Sequence, residues 1–337
     1  MELENSPERV VGADWLGLED LLGAGAGEGP GGVRYSKTPG VFFVMNNSRR
    51  LLERASQLLG EMGYTPKVGL EVEFYGGRIG SPEELDGLLG DFARTAAIGY
   101  GGVTREVGRN QFEVSLSPQL AMGKLVDDFL LVKNFLLASD PAVSFDAMPS
   151  YYQPRSALQM NVSLNGGDGV NLFARSGDGE ESRLLLNSVA GLLATTNSFL
   201  PLYLGPGGDP LVMFDEEFNR AIHSQGRNPM PTYNSWGINN RSCSVRIPTP
   251  KNFFSEKDYR IDSRLNRRIE FRVATADSNV ECALFGLLYS LLYGIQNGLE
   301  PPPATSNNVL EYHEGFRRIA FEDNILSIIH PSFFSCD

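Results

Sequence analysis

Strict alternation of apolar and polar residues in five short segments constrains the fold of this chain more than any other feature. In such a segment every second side chain lies on the same face, so each segment predicts a strand with one apolar and one polar face. The five segments are Lys67–Tyr75, Arg109–Ser117, Ala157–Leu164, Cys243–Ile247 and Arg267–Val273. One-sided strands of this kind favour an antiparallel or mixed sheet whose apolar face is covered by helices.

Apolar residues at helical spacing predict the elements that cover this sheet. The predicted helices span residues 49–62, 82–98, 122–138, 181–198 and 280–297. Long polar loops are expected at residues 205–210, 223–240, 249–264 and 300–303. Because strands and helices do not alternate as regular βα units, the predicted fold class is α+β.

Composition excludes several classes of function. Among 337 residues, 29 Lys and Arg stand against 41 Asp and Glu, a net charge of −12, so the chain as a whole repels nucleic acid and anionic lipid. Three scattered cysteines and three scattered histidines argue against disulfide scaffolds and against zinc sites. The acidic N-terminus lacks a signal peptide, and the most apolar run, Cys282–Tyr293, is too short to cross a bilayer. The expected location is the cytoplasm, with no nucleic-acid or membrane partner.

The polar faces of the five strands hold an unusual combination of side chains. They present Glu71, Glu73, Glu113, Gln159 and Glu270 together with Arg246, Arg268 and Arg272, and Glu106 comes shortly before the Glu113 strand. If the strands are neighbours, the carboxylates would repel one another unless a hard cation such as Mg²⁺ or Mn²⁺ were bound between them. Interleaved arginines suit phosphate oxygens, so the pattern indicates nucleotide-dependent phosphoryl transfer. For any one strand, the alternative is a solvated face with surface ion pairs.

Four segments, in this order, resemble motifs of the glutamine synthetase family. They are Gly69–Phe74 (GLEVEF), Glu106–Glu113 (EVGRNQFE), Trp236–Pro248 (WGINNRSCSVRIP) and Arg268–Asn279 (RIEFRVATADSN). The resemblance extends from about residue 46 to 303 and involves the catalytic domain. It implies a curved, largely antiparallel sheet with the active site on its polar face. It also implies an ATP-dependent carboxylate–amine ligase, in which ATP phosphorylates a carboxylate and an amine attacks the acyl phosphate.

The resemblance also assigns ligands to two or three Mg²⁺ or Mn²⁺ ions. By position, Glu73, Glu106 and Glu113 would hold one ion, and Glu71, Gln159 and Glu270 would hold a second ion that bridges the ATP phosphates. The family has a histidine where this chain has Gln159. A glutamine carbonyl can still bind a hard cation, and a Q-x-N strand is also similar to some glutamate–cysteine ligases of the same fold.

Further residues take nucleotide, catalytic and substrate roles by the same resemblance. Those expected to contact ATP or the transferred phosphoryl group are Asn161, Ser163, Arg241, Arg246 and Arg268. Arg272 would hold the carboxylate or the phosphate formed on it, and Asp209 falls where a loop glutamate helps to deprotonate the amine. By the same resemblance, Arg155, Tyr203 and Arg272 would line the substrate pocket. The arginine that the family uses for the α-carboxylate of glutamate is missing near Tyr203. Arg155 would supply that charge, or the acid is not glutamate.

The N-terminal part departs further from the family. Residues 1–45, with the glycine-rich stretch Gly23–Gly32, are expected to be irregular, and residues 46–337 to form the catalytic domain. Because only about 45 residues of this sequence precede the match, the expectation is that there is no full β-grasp domain and that the amine is not ammonia. A homo-oligomer is possible on this pattern, but a double-ring dodecamer is not expected. Two alternatives stay open, a catalytically silent nucleotide-binding regulator and, ranked last, a guanidino kinase.

Overall fold

A computed structural model describes residues 39–149, 153–175, 179–224, 230–249, 266–322 and 324–333. Its helices are α1 (Pro39–Asn46), α2 (Ser48–Glu61), α3 (Pro82–Ala96), α4 (Met122–Ser139), α5 (Arg183–Tyr203), α6 (Pro210–Met213), α7 (Glu216–Ser224), α8 (Val280–Gln296) and α9 (Ile325–Ile328). Its strands are β1 (Thr65–Gly76), β2 (Tyr100–Arg105), β3 (Gln111–Gln119), β4 (Val143–Ser144), β5 (Leu158–Asn165), β6 (Tyr233–Asn234), β7 (Trp236–Ile238), β8 (Val245–Ile247), β9 (Ile269–Phe271) and β10 (Arg317–Arg318).

One mixed sheet organises the molecule. Its strands run in the order β2-β3-β1-β5-β9-β8-β7, and β4 pairs with β1 beside this path. Every pair is antiparallel except β7 with β8, which are parallel. The five predicted strands and the five predicted helices all form, and the predicted α+β class, with a largely antiparallel sheet, is confirmed.

The apolar face of the sheet is buried against helices, as the alternation predicts. On β1, Val68, Leu70, Val72 and Phe74 are at most 2% exposed and join one continuous core. Helices α2 and α4 pack on this part of the sheet, and α8 packs against α2 and α5. Because the helices occupy this face, the polar face of the same strands is left for chemistry.

Helices α5 and α8 approach each other so closely that only glycine fits at the crossing. A Cβ atom on Gly191 would lie 2.0 Å from the carbonyl oxygen of Ser290, and one on Gly294 would lie 2.1 Å from that of Asn187. The side chain of Asn279 caps the start of α8 by accepting hydrogen bonds from the backbone N–H groups of residues 281 and 282. The buried helix predicted at 280–297 is therefore fixed by its cap and by this contact.

Several segments differ from the sequence-based expectation. Residues 39–46, placed in the irregular N-terminal segment, form α1, and its Val41 and Val44 are buried. The expected loop at 223–240 contains β6 and β7, which are stabilised by pairing with β10 and β8. The stretch Gly23–Gly32 and nearly all of the expected loop at 249–264 lie outside the described residues. Across the part of the chain that the structure describes, no helix is long and apolar enough to span a bilayer.

Candidate active site

Strand register brings the predicted polar side chains together on one face of the sheet. Glu73 on β1 lies opposite Glu113 on β3, and Glu71 on β1 lies opposite Gln159 on β5. The remaining cross-strand pairs are Asn161 with Glu270 and Arg246 with Glu270. Residues that are distant in sequence thus become neighbours because each strand keeps its polar face on the same side.

Three carboxylates on this face form a compact cluster, which we call the carboxylate triad. Oxygen atoms of Glu73, Glu106 and Glu113 all lie within 4.8 Å of one another. Glu106 comes from the loop after β2, and its backbone N–H donates to the carbonyl of Gln111 at 2.9 Å. Oxygen donors at this separation suit a hard divalent cation, so the residues present fit Mg²⁺ or Mn²⁺.

The electrostatics of the triad agree with this fit. Burial, with the charge of Glu106 beside it, raises the pKa of Glu73 to about 7. Burial and the charges of Glu71 and Glu73 raise the pKa of Glu113 to about 9. Glu73 and Glu113 therefore hold protons more tightly than ordinary glutamates when no cation is bound, because a proton or a metal must offset the repulsion between close carboxylates.

Gln111, two residues before Glu113 on β3, holds the carboxylate of Glu73 in place. Its side-chain amide donates to Glu73 Oε2 at 3.2 Å and to the carbonyl of Arg155 at 3.0 Å, while the backbone N–H of Ala157 also donates to Glu73 Oε2 at 3.0 Å. Gln111 is 1% exposed. Gln111 is not among the predicted site residues, although its position two residues before Glu113 places it on the same face of β3.

Gln159 lies beside the triad with its amide nitrogen toward the carboxylates. Nε2 donates to Glu73 Oε1 at 3.2 Å and to Glu113 Oε2 at 3.4 Å. Its Oε1 accepts from the guanidinium of Arg272 at 3.1 Å. The atom expected to bind a second ion is therefore hydrogen-bonded to an arginine.

Glu270 is held by arginines on both carboxylate oxygens. Arg272 Nη1 donates to Oε1 and Arg246 Nη1 donates to Oε2, each at 2.6 Å. Burial alone would raise the pKa of Glu270, but the charges of Arg272 and Arg246 outweigh it and hold the pKa below its ordinary value. Burial with the charge of Glu270 raises the pKa of Glu71 on β1, which is separated from β9 by β5.

A cavity of about 250 Å³ adjoins this face at the start of β1 and the end of β5. Three of the residues expected to contact nucleotide, Asn161, Ser163 and Arg268, line it, together with Gly69 and Glu71. Arg241 and Arg246 are not among the residues that line it. Arg268 Nε donates to Asn161 Oδ1 at 2.9 Å. The structure thus brings these three predicted residues to one cavity beside the carboxylates.

A second, smaller cavity of about 30 Å³ lies on the other side of the triad. Arg155, Arg272 and Glu73 line it, and the Arg155 guanidinium stacks 3.9 Å from the centre of the Phe218 ring. Phe218 belongs to α7, which falls between two expected loops and was not predicted. The spacing of Phe218 and Ile222 on one helical face is the signal that could have revealed it.

Two of the residues assigned by resemblance lie away from these cavities. Tyr203, assigned to the substrate pocket by resemblance, is fully buried: its ring packs on Phe271 at 4.9 Å between ring centres, and its hydroxyl lies 3.5 Å from the Ser290 hydroxyl. Asp209 accepts a hydrogen bond from the backbone N–H of Leu211 at 2.9 Å at the start of α6. Among the contacts of the described residues, none joins Asp209 to the triad.

Arg241 lies at the edge of the same face. Its side chain is exposed, and its positive charge contributes to the low pKa of Glu270 and lowers the pKa of Arg246, for which burial is the larger cause. Arg241 is therefore close enough to act electrostatically on Glu270 and Arg246. Among the contacts of the described residues, no hydrogen bond joins Arg241 to either of them.

Known proteins share this architecture. The gamma-glutamylputrescine synthetase PuuA of Escherichia coli (strain K12) is 25% identical over 298 residues, covering 78% of this chain and 58% of that protein. The glutamine synthetase of Clostridium saccharobutylicum is 26% identical over 303 residues, covering 82% of this chain and 63% of that protein. The chain thus spans about three fifths of the length of these relatives.

Solved structures agree on the fold. A crystal structure described as a novel glutamine synthase homolog aligns with a TM-score of 0.64 at 18% identity, covering 83% of this chain and 63% of that chain. A GmaS/ADP complex aligns with a TM-score of 0.62 at 16% identity, covering 83% and 66%. The sequence profile described as "Glutamine synthetase, catalytic domain" matches residues 89–320, which is more than half of the chain. This chain therefore belongs to the glutamine synthetase family.

Proposed function

We propose that the protein is an ATP- and Mg²⁺- or Mn²⁺-dependent ligase that joins a small carboxylic acid to an amine. The observation that supports this best is the carboxylate triad itself, whose three side chains meet within 4.8 Å. A scaffold gains nothing from burying mutually repelling carboxylates, whereas a site for a hard cation requires them.

The arginines beside the triad supply the charge that phosphoryl transfer needs. Arg246 and Arg272, both in contact with Glu270, would neutralise the phosphoryl group as it moves from ATP to the carboxylate oxygen and ADP leaves. A divalent ion bound by the triad would add positive charge at the same place. The amine nitrogen then attacks the acyl carbon, phosphate leaves, and the nitrogen loses its proton.

The two cavities offer separate binding places for the nucleotide and the acid. The nucleotide would bind in the cavity lined by Asn161, Ser163 and Arg268. The acid would enter from the cavity lined by Arg155 and Arg272, with the guanidinium of Arg155 binding a second anionic or polar group of the acid. Because the family's arginine near Tyr203 is missing, we propose an acid other than glutamate, or glutamate bound differently.

The test is a screen for metal-dependent ADP release with panels of acids and amines. A productive pair should release ADP and phosphate in equal amounts and yield the amide, with Mn²⁺ or Mg²⁺ required. In a confirmed activity, Glu73→Ala and Arg272→Ala should each reduce turnover at least about 100-fold, as expected for lost transition-state charge stabilisation. The exposed Arg183→Ala is a matched control. Nucleotide binding without turnover for every pair would favour the silent regulator instead.

A further inference from the structure

Gln159 occupies a central position on the polar face, between the triad and the two arginines that hold Glu270, Arg246 and Arg272. It is 8% exposed, and both ends of its amide are engaged. The nitrogen donates to Glu73 and Glu113, and the oxygen accepts from Arg272. A single side chain therefore connects two carboxylates to one guanidinium.

The surrounding charges fix the orientation of this amide. If the amide were reversed, its oxygen would point toward the two carboxylates and its NH₂ group toward the guanidinium. The contact with Arg272 would then place two donors together, because a guanidinium has no acceptor. The observed orientation satisfies the two donors and the acceptor at once, which is how the nitrogen and oxygen of such a group are told apart.

This orientation turns the atom of Gln159 that could bind a metal away from the triad. A hard cation binds an amide through its oxygen, and here that oxygen is bonded to Arg272, which itself donates to Glu270 at 2.6 Å. The NH₂ group, which repels a cation, is the part of Gln159 beside the triad. Glu270, a second expected ligand of that ion, also has both oxygens bound by arginines.

We propose that Gln159 is a positioning residue, a hydrogen-bond bridge between the carboxylate triad and Arg272, and not a metal ligand. The bridge sets the guanidinium of Arg272 relative to the ion held by Glu73, Glu106 and Glu113. The role of the triad as an ion site rests on the proposed function, but the role of Gln159 can be measured without turnover.

The first experiment counts Mn²⁺ ions bound to the metal-stripped full-length protein, by the EPR signal of free Mn²⁺ during titration. Gln159→Met keeps the length of the side chain and removes both ends of the bridge. We expect wild type and Gln159→Met to bind the same number of ions, with dissociation constants within about threefold. A variant that binds one ion fewer, or more than about tenfold more weakly, would overturn the proposal.

The second experiment measures whether Arg272 acts on the ion through Gln159. Arg272→Met is introduced into wild type, into Gln159→Met and into the exposed control Gln57→Met, and the Mn²⁺ dissociation constant is measured in each. If the bridge exists, the fold-change in the Mn²⁺ dissociation constant caused by Arg272→Met differs at least about threefold between the wild-type and Gln159→Met backgrounds. In the Gln57→Met background the fold-change equals that in wild type. Equal changes in all three backgrounds would mean that Arg272 acts only through its charge, and would contradict the bridge.

A Mn²⁺-soaked crystal provides an independent measurement that does not depend on the variants folding. The anomalous peak should lie among Glu73, Glu106 and Glu113, with Gln159 Oε1 still on Arg272. A peak about 2.1 Å from Gln159 Oε1 would make it a ligand and overturn the proposal. If instead Glu73→Gln leaves Mn²⁺ binding intact, the triad assignment fails, and that result is separate from any result at Gln159.

Discussion

The guanidinium carbon of Arg155 lies 3.9 Å from the centre of the Phe218 ring. Both side chains are at most 8% exposed, so the stack forms where water is largely excluded. A cation on an aromatic face in such a place contributes about 2 kcal/mol, more than at an exposed site. The contact joins α7 to the loop before β5, and so connects the wall of the smaller cavity to the sheet.

We therefore predict an energetic coupling between Phe218 and Arg155. Phe218→Leu retains most of the apolar burial and removes the aromatic face, while Arg155→Met removes the charge. In urea unfolding, the double variant should be less destabilised than the sum of the single variants by about 1–2 kcal/mol. Strict additivity would show that the stack does not contribute to stability.

The metal-free protein should lose stability as the pH rises from 6 to 9.5. The pKa values of Glu73 and Glu113 are about 7 and about 9 in the folded chain, against an ordinary value of 4.5. Because the folded state binds more protons, this contribution is complete below pH 4.5 and is lost as the pH rises through about 7 and about 9. Thermal unfolding with chelator present measures it. Glu113→Gln should flatten the slope; an unchanged slope in that variant would contradict the assignment.

Mn²⁺ binding should release protons near neutral pH. The cation requires ionised carboxylates, while the raised pKa values mean that Glu113 is protonated and Glu73 partly so at pH 7. We expect roughly one to two protons released per ion. Calorimetry in two buffers of different ionisation enthalpy gives the number. Identical heats in both buffers would mean that the carboxylates are already ionised before the metal arrives.

Arg268 should determine nucleotide affinity if the larger cavity binds ATP. It lines that cavity and is placed by Asn161, so it can reach a phosphate oxygen. A hydrogen bond from a charged donor contributes about 1.5–3 kcal/mol, so Arg268→Met should weaken ADP binding about 10- to 100-fold. Titration calorimetry with Mn²⁺ present measures the change. The exposed Arg183→Met should bind ADP like wild type; equal affinities for all three proteins would place the nucleotide elsewhere.

The crossing of α5 and α8 should tolerate no side chain. Gly191→Ala places a methyl group where the Ser290 carbonyl oxygen is 2.0 Å away, so the helices must separate, and a loss of about 2–3 kcal/mol is expected. The matched control is Gly87→Ala on α3, where a Cβ has no heavy atom within 4 Å. That change should stabilise by about 0.5–1 kcal/mol. Urea unfolding of both variants measures the difference, and similar values for the two would contradict the close contact.

How far the sequence predicts this structure depends on how local each signal is. Alternation over β1, β3 and β5 identifies the strands and their polar faces, because in a strand every second side chain lies on the same face. Strand β2 was missed because its Gly101–Gly102 pair breaks that pattern. Helix α7 and strands β6 and β7 were missed because they are short and depend on partners distant in sequence.

The candidate site also has features that the sequence predicts and features that depend on the three-dimensional arrangement. The sequence predicts which carboxylates share a face, and the structure brings Glu73, Glu106 and Glu113 together. It does not predict which end of the Gln159 amide lies against them, since that depends on where Arg272 sits in three dimensions. Nor does a position taken from resemblance report burial, and the side chain of Tyr203 is fully buried.

The pairing of Glu73 with Glu113 and of Glu71 with Gln159 has a consequence for the assembly of the chain. Slippage of β1 by a single residue against either neighbour would exchange these side chains for Val72 and Phe74 and leave the acidic groups in the apolar interior. The proposed ion site can therefore form only in molecules whose strands pair in this register. Retention on an immobilised divalent cation would then separate chains with the native β1 register from chains in which β1 is shifted, and this separation needs no substrate.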